Sequence, residues 1–108
     1  MKIDRNSNLR VRVIKTFTDI LVIKYLKNKP SSSGYQILRY LNETLSIPFS
    51  PGTIYNEVYT LERKGFIKSS GNQDCRYYSL TVQGEELLNE TVGKKKEIQD
   101  IVAEILSK

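Results

Sequence analysis

SPGTIYNEVYTLERKG, residues 50–65, carries its own start and stop signals. Ser50 caps a helix through its hydroxyl, and Pro51 takes the first helical position, where a missing N–H costs nothing. Ile54, Val58 and Leu61 fall at i, i+4 and i+7 and make one narrow apolar stripe. Arg63 and Lys64 lie in the last turn, where cations suit the helix dipole, and Gly65 stands where a left-handed residue ends a helix. The other side carries Thr53, Asn56, Tyr59, Thr60 and Arg63. It offers uncharged hydrogen-bonding groups and aromatic rings in place of the Glu/Lys lattice of a solvated face. One side for a core and one for reading a surface is the pattern of a helix-turn-helix recognition helix.

Upstream of this stretch, Val13, Phe17, Ile20, Leu21, Lys24 and Tyr25 keep a 3–4 spacing and predict one unbroken helix over about 9–28. KNKP (27–30) ends it, because the residue before a proline avoids helical angles. Ser31 to Ser33 form a polar link. Ser33 and Gln36 have capping-box spacing, so a second helix begins there and runs to about residue 45. Ile37, Leu38 and Leu41 face inward along it, and Tyr35 at its start is expected to pack on the core. Residues 42–49 turn into the third helix, with Ile47 and Phe49 as anchors and Pro48 blocking continuation.

Downstream, 66–68 and 76–80 read as two short strands around a polar loop at 69–74, a hairpin longer than the tightest class. Tyr77 and Tyr78 alternate across the second strand, so one is buried and the other exposed. Thr81 then caps a final helix to about residue 106, with Glu85 and Glu86 in its first turns. Leu87, Thr91, Lys94, Ile98, Ile101 and Ile105 form a seam of alternating spacings of 4 and 3, widened by Leu88, Val92, Val102 and Leu106. A straight helix of ~25 residues is roughly 37 Å long, more than a core of this size covers. A second copy of the chain is the simplest partner for the protruding end, and folding back on the first helix is the alternative.

Composition bounds the function. The chain has 108 residues and 39% hydrophobic side chains, enough for one domain with an extension. No apolar run approaches the ~18 residues of a membrane span, and the basic, polar start does not resemble a signal peptide. One cysteine, Cys75, favours a reducing, cytoplasmic compartment. With that one thiol and no histidine, a transition-metal site is poorly supplied and the usual general base is missing, so the chain does not read as an enzyme. The net charge of +5 is unevenly spread. Residues 1–80 hold thirteen basic and six acidic side chains, a balance of +7, whereas 81–108 hold four and six, a balance of −2. A polyanion prefers the first part.

The order helix, helix, helix, strand, strand, long helix gives a mainly α fold with a small β-hairpin: a winged helix-turn-helix with a long C-terminal dimerisation helix. Residues 1–80 form the DNA-binding domain with its basic N-terminal segment, and 81–108 the dimerisation helix. PSSSGYQI (30–37), SPGTIY (50–55), TLERKGFI (60–67) and RYYSLTVQG (76–84) resemble the PadR family of transcriptional regulators, in the expected order and over about residues 15–90. The resemblance implies a homodimeric DNA-binding repressor with a C-terminal dimerisation helix; no cofactor is expected, and two-fold symmetry calls for a pseudo-palindromic operator in double-stranded DNA. It also suggests a small aromatic effector. The family often has proline directly after the Ile-Tyr pair, where this chain has Asn56.

The candidate DNA contacts follow. Ser50, Gly52 and Thr53 lie at a helix start, where free N–H groups suit a phosphate; an ordinary cap is the plainer role. Thr53, Asn56, and Tyr59 or Thr60 reach toward base edges. Asn56 is either an amide that pairs with adenine or a solvated polar residue. Tyr55 either bonds a phosphate or covers the core edge. Lys64, Lys68 and Arg76 either hold backbone phosphates or form a solvated surface. The wing loop SSGNQD (69–74) contains no cation, so Lys2, Arg5, Arg10 and Arg12 are expected to supply charge in its place. That neutral wing also motivates the alternative of a protein-protein interaction module that binds no DNA. Dimerisation is assigned to Leu87, Leu88, Val92, Ile98, Ile101, Val102 and Ile105. Cys75, beside Arg76, is either inert or an oxidisable thiol.

Overall fold

The expected first helix is two. In the computed structural model, which describes residues 8–108, α1 (Asn8–Thr16) and α2 (Thr18–Asn28) are separated at Phe17. There the backbone takes φ −106° and ψ 24°, and the Phe17 N–H donates to Ile14 O at 3.0 Å, a three-residue reach. Two threonines flank the break and bond backward. Thr16 Oγ1 donates to Arg12 O at 2.9 Å and Thr18 Oγ1 to Lys15 O at 2.7 Å. Such bonds compete with the backbone ladder and bend helices. Periodicity alone does not show this, because the apolar stripe continues through the bend.

α2 is the centre of the core. Val22, Ile23 and Leu26 are buried and meet Ile37, Leu38 and Leu41 of α3 (Gly34–Leu45). The capping box forms as expected, with Ser33 Oγ accepting from Gln36 N at 3.1 Å and Gln36 Oε1 from Ser33 N at 2.8 Å. After α3 the chain turns through Ile47 and Phe49, both buried. Asn42 holds this turn, its Oδ1 accepting from Phe49 N at 2.8 Å.

α4 (Pro51–Arg63) follows, with Ile54, Val58 and Leu61 buried on its inner stripe. Its end is a Schellman motif: Phe66 N donates to Leu61 O and Gly65 N to Glu62 O, each at 3.0 Å, around Gly65 at φ +86°. A residue with a Cβ is strained at that φ, so the glycine read as a stop signal has a backbone reason to be there.

The hairpin is tighter than expected. β1 (Ile67–Asn72) pairs antiparallel with β2 (Cys75–Leu80) from Ile67↔Leu80 to Asn72↔Cys75, leaving only Gln73 and Asp74 as the turn. Asn72 Oδ1 accepts from the amides of Asp74 and Cys75, both at 3.0 Å, so an Asx turn replaces the long loop. The serine link before α3 is also more than a link. Ser32 and Tyr78 exchange both backbone bonds, at 3.1 and 2.8 Å, adding a one-residue bridge to the free edge of β2. Ser32 is buried, with Oγ donating to Lys29 O at 2.7 Å.

The last helix also divides. α5 (Val82–Gly93) is capped by Thr81 Oγ1, which accepts from Gly84 N at 3.1 Å and donates to Gly65 O at 2.7 Å. α6 (Lys95–Ile105) starts beyond a break at Lys94, whose N–H reaches Thr91 O at 3.1 Å. Thr91 Oγ1 bonds back to Leu87 O at 2.7 Å, and Gly93 weakens the same turn. Lys94 Nζ also pairs with the Glu90 carboxylate, one turn earlier, at 3.0 Å.

Candidate nucleic-acid interface

α4 turns one face away from the core. Ser50, Gly52, Thr53, Asn56, Tyr59 and Lys64 are exposed on it. Ser50 caps the helix, Oγ accepting from Thr53 N at 3.1 Å, and the Ser50 and Thr53 hydroxyls are 2.7 Å apart. Thr53 therefore spends its hydroxyl locally. The Asn56 amide makes no hydrogen bond among the described residues, so it is the open polar group midway along this face. Thr60 is half-buried and sits nearer the core than Asn56 and Tyr59 do.

Between α4, the start of α3 and β2 lies a cavity of about 690 Å³. Tyr35, Tyr55, Tyr59, Tyr77 and Tyr78 line it, with Arg76 and Asp74 as its Arg and acidic side chains. Tyr35 is 60% exposed, so it faces this cleft and does not pack on the core as expected. A helix-starting tyrosine is apolar enough to read as core, and only the neighbouring wing shows otherwise. Tyr55 is half-buried over Gly34, where an added Cβ would come within 2.3 Å of its ring. Here the missing side chain lets the recognition helix pack closely on the start of α3. Tyr78 is the buried member of its pair and Tyr77 the more exposed one. Burial pushes the Tyr78 phenol up, with Arg76 opposing it. The hydrogen bond between the Tyr77 hydroxyl and Cys75 Sγ, at 2.9 Å, and next the charge of that thiol raise the Tyr77 phenol. Cys75 itself is exposed.

The cations do not form one cluster. Strand register puts Ile67, Ser69, Arg76 and Tyr78 on one face of the hairpin and Lys68, Tyr77 and Ser79 on the other. Lys68 and Arg76, which flank the wing loop in sequence, thus point oppositely. Arg76 lies 3.8 Å from Glu62 of α4. Of the basic N-terminal group, Lys2 and Arg5 lie outside the described residues. Arg10 Nη1 donates to Leu45 O at 2.9 Å, placing a cation at the C-terminus of α3. Arg12 lines a groove between α1 and α6. Neither lines the wing cleft.

That groove, about 750 Å³, is walled by Leu9, Val13, Val102, Ile105 and Leu106. A second, of about 270 Å³, lies beside Phe17, Val92 and Ile98. α1 and α6 have no buried residue, and Ile101 is half exposed. Leu87 is partly buried against the core, while Leu88, at 5% exposure, is inside it. Leu88 therefore packs within its own protomer and has no surface left for a partner; seam periodicity does not distinguish the two uses.

Three helices around a hydrophobic core, with the third capped and outward-facing and followed by a two-stranded wing, define a winged helix-turn-helix protein. The model of the transcriptional regulator PadR-like family matches residues 22–90, and the chain belongs to that family of DNA-binding, non-enzymatic regulators. Solved structures share the fold. A transcriptional regulator from Clostridium thermocellum superposes with a TM-score of 0.71 at 22% identity, covering 89% of this chain and 96% of its own. A PadR family transcription regulator from Clostridium difficile gives 0.66 at 27%, covering 84% and 99%. A PadR-like transcription factor from Bacteroides fragilis gives 0.66 at 22%, covering 92% and 99%. No curated protein sequence matches the chain significantly. The alternative of a module that binds no DNA is thereby set aside. Among the described residues, no helix is long and apolar enough to cross a membrane.

Proposed function

We propose that the protein is a homodimeric, sequence-specific repressor that binds a pseudo-palindromic operator. Residues 1–80 are the DNA-binding domain and 81–108 the dimerising part, rooted in the core through Leu88. The exposed face of α4 enters the major groove. Asn56 and Tyr59 reach base edges, Thr53 and Thr60 stand beside them, and Ser50, Gly52 and Tyr55 approach phosphate at the helix start. Lys64, Lys68 and Arg76 meet the backbone and fix register. Repression follows where such an operator overlaps a promoter.

The observation that supports the dimer is a pair of helices, α1 and α6, with no buried residue and apolar sides toward one groove. Leu87, Val92, Ile98, Ile101, Val102 and Ile105 are its contacts, and a second copy covers them symmetrically. A small aromatic effector, if the dimer takes one, enters between these helices. The test is selection of binding sites from random duplex DNA, with light scattering of the free protein. Inverted half-sites about 34 Å apart and a dimer mass are expected. Single, unpaired half-sites from a monomeric protein would overturn the proposal.

A further inference from the structure

Glu62 of the recognition helix makes a polar contact with each strand of the wing. One carboxylate oxygen, Oε2, accepts a hydrogen bond from Ser69 Oγ of β1. The other, Oε1, is 3.8 Å from Arg76 Nη1 of β2. Ser69 and Arg76 lie on the same hairpin face, the one turned toward α4. The Glu62 carboxylate is thus a clasp, one oxygen per strand, on the last turn of α4. It is 28% exposed, and Arg76 44%. At 3.8 Å the Arg76 fork is held in place without being saturated, since a guanidinium carries five donors.

We propose that Glu62 is the positioning residue of the wing: it fixes the hairpin against α4 and aims the remaining donors of Arg76 at a backbone phosphate. This rests on the reading of α4 and the wing as the DNA-binding surface. The proposal opposes simple electrostatics. Removing a carboxylate from that surface raises the net charge by one, from +5 to +6, so Coulomb attraction alone predicts tighter DNA binding. Positioning predicts weaker binding, because a released wing no longer places Arg76.

The experiment compares full-length wild type, Glu62→Leu, Glu62→Gln and Arg76→Gln on a duplex selected from random DNA, titrated across a salt series, with Tm measured for each. Glu62→Leu is expected to bind on the order of tenfold more weakly, the scale of one charge-assisted contact. Its log-log salt slope should fall by about 0.9, one phosphate contact, although its charge has risen. Glu62→Gln keeps an acceptor for Ser69 and should lie between Glu62→Leu and wild type. Adding Arg76→Gln to Glu62→Leu should cost nothing further. A variant that is merely less stable shows a lower Tm with an unchanged slope, which counts against positioning. Binding by Glu62→Leu as tight as wild type or tighter overturns the proposal; should that variant not fold, the same outcome for Glu62→Gln does so. If wild type binds no duplex at low salt, the DNA-binding surface itself is misassigned, and the proposal falls with it.

Discussion

α2 and α5 bury side chains, whereas α1 and α6, which continue them across a bend, bury none. Each pair arises from one continuous apolar pattern in the sequence. Each bends where a threonine hydroxyl takes a backbone carbonyl. The inner halves make the protomer, and the outer halves are left with apolar surface that the protomer does not cover. A periodic stripe therefore says that a helix face will be covered, without saying by which chain.

Substitutions test this contrast. Ile23→Ala, in the fully buried inner half, should cost about 2–5 kcal/mol at any protein concentration, read by denaturant unfolding. A loss that vanished on dilution would place Ile23 in an interface. Ile101→Asp with Ile105→Asp, on the outer half, should leave the helical and hairpin signature of the protomer in place. It should raise the dissociation constant of the proposed dimer by more than about a hundredfold, since two isoleucines that it would bury are each worth ~1.5–3 kcal/mol. Sedimentation at two concentrations measures it.

On the proposed DNA face, Asn56→Ala should relax preference at one base position by about 1–3 kcal/mol, whereas Lys64→Ala should weaken all sequences alike. Competition with single-base variants of the selected site separates the two. The smallest effect concerns pH. Glu57 of α4 titrates above the ordinary carboxylate range, first because burial disfavours its charge and next because Asp19 is near, with Lys64 opposing. A carboxyl whose folded pKa is raised contributes stability fully below its unfolded pKa, and loses it as pH rises through the folded value. Glu57→Gln should therefore stabilise at neutral pH, by less than about 1 kcal/mol given its exposure, and show no gain below the carboxylate range. Paired melting curves at the two pH values check the sign.

The caps and stops were legible in the residues themselves. Ser33 with Gln36, Ser50 with Pro51, Gly65 and Thr81 each form the local bonds that their type and spacing call for. The stripe of α4 was legible for the same reason, since about two turns of helix contain the signal. What stayed hidden depended on distant partners. Tyr35 turned to a cleft that exists only once the wing is folded beside it. Lys68 and Arg76 parted because strand parity, not sequence proximity, sets their faces. The hairpin loop shrank to two residues because the Asn72 side chain supplies the turn. Leu88 joined the core because α5 lies against α2 and the hairpin.

The Ser32–Tyr78 bridge has a kinetic consequence. Helices α2, α3 and α4 form from contacts close in sequence, whereas this pair joins residue 32 to residue 78 and must wait for everything between them. During synthesis, the three helices emerge before β2 exists, and the edge at Ser32 stays open until then. The wing is thus the last part of the DNA-binding unit to lock. Once locked, the Ser32 and Tyr78 amides should exchange with solvent only through openings that separate the wing from the start of α3, while the exposed amide of Gln73 in the turn exchanges far faster.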